Sequence, residues 1–240
     1  MPISIDYPHD ARTRTPQSLT PAAIRAIAGR VRRQVVDGAG AIEPALLADA
    51  SKSLLINGLA LSVAWDFDHP VHDEAGHEVL GVCETDPDMP GAAFVSINSR
   101  MVAHRPHLAI STAAHELGHV LFDVPTAGRT VRRYRAVVRS AQTLTQATRQ
   151  IEARANEFMG ALLTPPVLLH TALLARARDE GLRLKRAAHS GRPGSPVVAG
   201  DNHPDALAGI VAALAAEFGV SDRFIAVRLS CYGLVEGGIA

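Results

Sequence analysis

At 240 residues the chain is long enough for one sizeable domain, or one domain with a small appendage. Hydrophobic residues make up 47% and charged residues 20%, which argues against extended disorder. Lys plus Arg and Asp plus Glu are equal at 24 each, so overall charge points to neither a nucleic-acid nor a membrane partner.

Residues 1–20 contain no apolar stretch of the secretory kind, and no run approaches the roughly 20 apolar residues of a membrane span. Cys83 and Cys231 are too few and too far apart for a disulfide framework. A soluble, cytoplasmic protein is the expectation.

The first predicted element is a helix from Pro21, capped by Thr20, with Ile24, Ile27, Ala28, Val31 and Val35 on one face and an end near Gly38. A second helix is expected over residues 44–55, stopped by Asn57 and Gly58. The alternation at 59–65 predicts a strand, and 78–83 and 93–98 read as two more. Pro106 opens a helix running to Phe122. Another helix carries Ile151, Ala155, Phe158, Met159, Leu162 and Leu163 and stops at Pro165, followed by a short one over 167–182. Residues 190–204, rich in Gly, Pro and Ser, read as a linker or mobile loop. Two helices, joined by a turn at Gly219, finish the chain. The expected organisation is a tail at 1–20, a main domain at 21–186, a loop at 187–204 and a helical hairpin at 205–240. The expected fold class is α+β: N-terminal helices, a small antiparallel or mixed sheet, two site-bearing helices and a helical tail.

The strongest chemical signal is His115-Glu116-Leu117-Gly118-His119. Residues four apart share one helix face, so both imidazoles can reach one ion. Catalytic zinc takes three protein ligands and keeps a position for water. Glu116, one residue on, is placed to take a proton from that water and pass it to a leaving amine. For the third ligand, Glu152 lies on a helix face next to the apolar stripe of Ala155 and Met159. Glu157 is the competitor on another face. Asn156, on the same face as Glu152, is a candidate to orient a ligand through its amide. The position six residues after His119 is Pro125, which leaves a His-His-Glu set with one zinc per chain.

These residues resemble the ImmA/IrrE zinc metallopeptidases, a compact gluzincin type. The resemblance rests on Ala-His-Glu-Leu-Gly-His-Val-Leu-Phe at 114–122 and on Glu-Ala-Arg-Ala-Asn-Glu-Phe-Met-Gly-Ala-Leu-Leu-Thr-Pro at 152–165. It extends to Phe-Val-Ser-Ile-Asn at 94–98 and to Glu217-Phe-Gly-Val-Ser221 with Arg228-Leu229. It implies a zincin-like fold, ligands at His115, His119 and Glu152, and a base at Glu116. It also implies a site-specific endopeptidase that cleaves a helix-turn-helix repressor and so derepresses mobile-element or stress-response genes. Met159-Gly160, the long basic segment between the motifs and residues 190–204 depart from the family pattern. The competing reading is a metal-stabilised regulator that binds a repressor without cutting it, and a third is a toxin-type or general peptidase.

Several signals are weaker. Residues 129–149 hold six arginines and no acid, suiting either a solvated loop or recruitment of an acidic partner. The C-terminal helix pair has a helix-turn-helix spacing but a second helix poor in basic residues, so direct nucleic-acid binding is not expected. His69, His72 and His77 could suggest a second metal, and His104 or His107 could cap the helix at Pro106. Cys83 could serve as a fourth metal ligand, though an ordinary strand cysteine is the simpler reading. Tyr134 and His170 are candidates for polarising a scissile carbonyl. The strand ending at Asn98 is a candidate to take an extended substrate by strand addition.

Overall fold

The protein was analysed as a computed structural model, which describes residues 2–38, 40–73, 75–86, 88–126, 132–135, 145–189 and 192–238. Two compact units are present: Met1–Gly38 with Ile42–Leu162, and Ala39–Ala41 with Leu163–Ala240.

In the first unit, Thr20 accepts a hydrogen bond from the Ala23 amide at 3.2 Å, and Pro21 takes the first helical position. Helix α1 (Pro21–Val35) follows, burying Ile24, Ile27, Ala28 and Val31. Arg32, on the same helix, is buried and donates to the Leu162 carbonyl at 2.9 Å.

Helix α2 (Pro44–Ala50) is shorter than the expected 44–55. The Ser51 hydroxyl donates back to the Leu47 carbonyl at 2.6 Å, and the chain then leaves the helix. Residues 53–56, expected to be helical to Leu55, are instead strand β2 (Ser53–Ile56), with Leu54 and Ile56 buried and Ser53 and Leu55 facing out. The cause is tertiary: β2 pairs in parallel with β1 (Ile3–Ile5) and antiparallel with β3 (Leu59–Asp66). Asn57 and Gly58, with φ of 50° and 75°, make the tight hairpin turn between β2 and β3.

Strands β4 (Gly81–Thr85) and β5 (Ala92–Ile97) complete the central sheet with β6 (Arg132–Arg135). The order is β1-β2-β3-β5-β4-β6, with β3 and β5 parallel and the β5–β4 and β4–β6 pairs antiparallel. Because β5 is paired on both sides, the expectation that this strand takes a substrate by addition is corrected. Its backbone groups are already used.

Helix α3 (Ser99–Val102) is a single turn, and helix α4 (Pro106–Phe122) packs on β4 and β5 with α2 also against it. From Thr112 to Phe122 every residue of α4 is buried, including His115, Glu116 and His119. A helix enclosed on all sides is where a sequence of this apolar content belongs, and polar residues inside it need a specific reason. A short 3-10 turn (Val124–Thr126) ends this element, and helix α5 (Gln146–Leu163) returns beside it.

The second unit holds helix α6 (Pro166–Asp179), strands β7 (Leu184–His189) and β8 (Arg192–Val198), helix α7 (Pro204–Phe218) and helix α8 (Asp222–Tyr232). The stretch 190–204, read as a linker or loop, contains β8, which pairs antiparallel with β7. Residues 190 and 191 lie outside the described residues. Gly219, with φ of 67°, closes α7, and the Ser221 hydroxyl caps α8 by accepting from the Phe224 amide at 3.2 Å. Among the described residues, no single helix is long and apolar enough to cross a membrane.

Candidate metal centre

Helical spacing puts His115 and His119 one turn apart on α4, and their rings meet edge to face with centroids 4.8 Å apart. Their Nε2 atoms lie 3.1 Å from each other. Glu152, from α5, brings one carboxylate oxygen to 3.3 Å from the His115 Nε2 and the other to 3.7 Å from the His119 Nε2. One ligand atom from each of the three residues lies within 4.8 Å of the others, a group that can hold a metal ion.

The far side of each ring makes the same case. His119 Nδ1 is 2.8 Å from a carboxylate oxygen of Asp123, and His115 Nδ1 is 3.2 Å from the side-chain carbonyl oxygen of Asn156. Both partners accept, so both Nδ1 atoms carry the proton and both Nε2 atoms present lone pairs. Two lone pairs 3.1 Å apart beside a carboxylate form an arrangement that a cation relieves. The donor set therefore fits a metal, and its two imidazoles and one carboxylate match a catalytic zinc set.

Two glycines make the geometry possible. A Cβ on Gly118 would lie 3.0 Å from Ala155 Cα and 3.4 Å from its carbonyl oxygen, so α5 reaches its position against α4 only because residue 118 has no side chain. That approach carries Glu152 to the histidines. At the start of β4, a Cβ on Gly81 would lie 2.7 Å from Thr112 Cγ2 and 3.1 Å from a Glu116 carboxylate oxygen. Gly81 thus leaves the space in which the Glu116 side chain folds against the sheet.

Glu116 itself is fully buried. Burying a carboxylate is unfavourable enough that it points to a chemical use. Around His119, burial pushes the imidazole pKa down, but the Asp123 hydrogen bond and the charges of Glu116, Asp123 and Glu152 outweigh it, and the net direction is up. Arg154 on α5 ion-pairs with the other oxygen of Asp123 and lies over the Phe122 ring, its guanidinium carbon 5.5 Å from the centroid. Asp123 thus links His119 to Arg154. Neither Asp123 nor Arg154 was singled out from sequence, although an acid four residues after His119 is itself a same-face signal.

The remaining candidates separate. Glu157, the competing third ligand, is ion-paired with Arg25 and belongs to the fold. Asn98, at the end of β5, has its side chain engaged within the fold. It is buried, caps α3 by accepting from the Arg100 and Met101 amides, and donates to the Val71 and Val79 carbonyls at 3.0 Å. Tyr134 lies in β6, opposite Cys83 in register. His170 lies in the second unit, where its Nε2 donates to the Pro196 carbonyl at 2.8 Å. Of the basic segment 129–149, residues 129–131 and 136–144 lie outside the described residues.

Among the described residues, no second metal cluster involves His69, His72 or His77. His69 contacts Asp66 at 2.9 Å and His77 lies 3.5 Å from Asp73. His104 and His107 are exposed, and no side chain caps α4. Cys83 is buried, and its thiol pKa is pushed well up, first by burial and then by the Glu116 charge, so it is a strand cysteine and not a ready metal ligand.

Comparison with known proteins agrees with the site. The sequence has no significant match among curated proteins. Residues 77–230, more than half of the chain, match the family model Peptidase M78, the IrrE N-terminal-like domain, and this span contains α4, α5 and all three ligand residues. The fold, α+β with a mixed sheet under the metal helix, is compatible with that of a zincin-like metallopeptidase, and the chain belongs to the M78 peptidase family with its IrrE N-terminal-like domain.

Proposed function

We propose that this chain is a zinc-dependent, site-specific endopeptidase in the cytoplasm, and that its substrate is a DNA-binding repressor whose cleavage releases mobile-element or stress-response genes. The observation that carries the reading is the fully buried Glu116, which lies in sequence between His115 and His119, the two histidines that group with Glu152. A metal used only as a structural staple needs the three ligands but not an additional buried carboxylate.

In this reading His115 and His119, through Nε2, and Glu152, through its carboxylate, hold one zinc per chain. Zinc bound there supplies Lewis acidity and brings the pKa of a coordinated water towards about 7. Glu116 accepts a proton on a carboxylate oxygen and returns it to the departing amine nitrogen, so peptide hydrolysis leaves its protonation state unchanged. Asp123 and Asn156 fix the ring orientation and tautomer of the two histidines, and Arg154 holds Asp123 in place.

The test compares new protein N-termini in native cells carrying wild-type protein or Glu116→Gln, under resting and stress conditions. New termini inside one DNA-binding repressor, present only with Glu116, are expected. No difference under either condition would replace this reading with that of a non-cleaving, metal-stabilised regulator.

A further inference from the structure

Residues 2–20 lie outside the matched span 77–230, yet they reach the end of the metal helix. The alternation that buries Ile3 and Ile5 in β1 continues past the strand, so Asp6 is exposed and Tyr7 is buried. The hairpin turn between β2 and β3 fixes the segment there. The Asn57 amide donates to the Ile5 carbonyl at 3.0 Å, and the Asn57 side-chain oxygen accepts from the Tyr7 amide at 2.8 Å.

Tyr7 makes two contacts with α4. Its hydroxyl donates to the buried Leu121 carbonyl at 2.6 Å, across 114 residues of sequence. A helix that continued would fill that carbonyl from the amide four residues on, but residue 125 is proline and has no N–H. A carbonyl buried at a helix end without a donor is costly, and a phenol here supplies what Pro125 cannot. The Tyr7 ring also packs against Phe122, with centroids 5.3 Å apart. Phe122 in turn meets Phe158 of α5 edge to face at 5.8 Å and carries the Arg154 guanidinium over its ring.

The next residue after these two is Asp123, the acceptor for His119 Nδ1. Asp123 is the C-cap of α4, at the end of the helix where fraying begins. Its reach to His119 depends on a closed last turn, in which the Asp123 amide donates to the His119 carbonyl at 2.8 Å.

We propose that Tyr7 is a positioning residue of the metal centre. By capping Leu121 and seating Phe122 it holds the last turn of α4 closed, and so keeps Asp123 on His119. It acts on the ligands through Asp123, and the segment that precedes the matched span becomes a working part of the site. That His115, His119 and Glu152 hold zinc rests on the metal reading above; peptide hydrolysis does not enter.

The test removes one oxygen atom, Tyr7→Phe, in the full-length protein and reads zinc affinity by chelator competition. Ile3→Val, a buried truncation in β1, is the control for loss of stability alone. Affinity is expected to fall about five- to tenfold in Tyr7→Phe, short of the roughly 10–100-fold of a group that touches a ligand, and to stay within about twofold of wild type in Ile3→Val. In an Asp123→Asn background Tyr7→Phe is expected to change nothing further, because groups that act in one chain are not additive. The Tm of metal-free protein reports folding. Asn57→Gly, which suits the turn's φ of 50° and releases the Tyr7 amide, is the second probe if Tyr7→Phe does not fold, and should weaken zinc binding in the same direction.

Wild-type affinity in Tyr7→Phe, an equal loss in Ile3→Val, or full additivity with Asp123→Asn would overturn the assignment, as would wild-type affinity in Asn57→Gly where that is the probe. Wild-type protein that binds no zinc would remove the metal centre itself, and the role of Tyr7 with it.

Discussion

Gly118→Ala separates helix stability from site geometry. Replacing a helical glycine with alanine ordinarily stabilises by about 1 kcal/mol. Here the new methyl would lie 3.0 Å from Ala155 Cα and 3.3 Å from its Cβ, against a comfortable carbon–carbon separation of about 3.5–4.0 Å. Relief needs α4 and α5 to part by about half an ångström, and overpacking of this kind costs about 1–3 kcal/mol. The two effects leave a net loss between nothing and about 2 kcal/mol. It falls on the contact that holds Glu152 to the histidines, where tolerance is also about 0.5 Å.

At 1.4 kcal/mol per decade, the upper end corresponds to about a 30-fold loss of zinc affinity. The apo protein, helped by the better helix former, should keep its Tm to within a few degrees. Chelator competition measures the affinity, and differential scanning calorimetry of metal-free protein measures the Tm. Wild-type affinity in Gly118→Ala would refute the claim that the α4–α5 approach sets the site.

Other expectations follow from the same structure. Asp123→Asn removes the carboxylate that orients His119 and deprives Arg154 of its anionic partner; zinc affinity should fall about 10–100-fold, measured by the same competition. Metal removal by chelator should lower Tm and restoration should recover it, because a ligand at about 1,000 times its Kd adds about 4 kcal/mol; an identical Tm with and without zinc would count against folded-state binding. Burial holds the Cys83 thiol pKa well up while Cys231 is exposed, so a thiol reagent at pH 8 should modify Cys231 alone in native protein and both after denaturation. Two fast-reacting thiols in the native state would contradict the placement of β4.

Helix starts were legible where a local device announces them: Thr20 with Pro21, and Pro106 for α4. Strands were legible only where alternation was long enough, as in β3. Residues 53–56 continue the apolar pattern of α2, and what makes them a strand is pairing with β1 and β3, which no local window contains. Strand β1, Ile-Ser-Ile, is too short to announce itself, and β6 and β8 are held by backbone pairing in segments rich in Arg, Gly or Pro. At the site, the sequence pattern placed His115, His119 and Glu152 together because helical periodicity encodes faces. It could not show that Gly118 is an empty socket for Ala155 or that Arg154 ends on Asp123, since both depend on how two distant helices meet.

The most direct test of the metal centre is zinc stoichiometry with X-ray absorption at the zinc edge, on wild type, Glu116→Gln, Glu152→Ala and Glu157→Ala. The account predicts one zinc per chain with two imidazole nitrogens and a carboxylate oxygen, retained in Glu116→Gln and Glu157→Ala and lost or greatly weakened in Glu152→Ala. Full retention in Glu152→Ala, or sulfur in the coordination sphere, would contradict it.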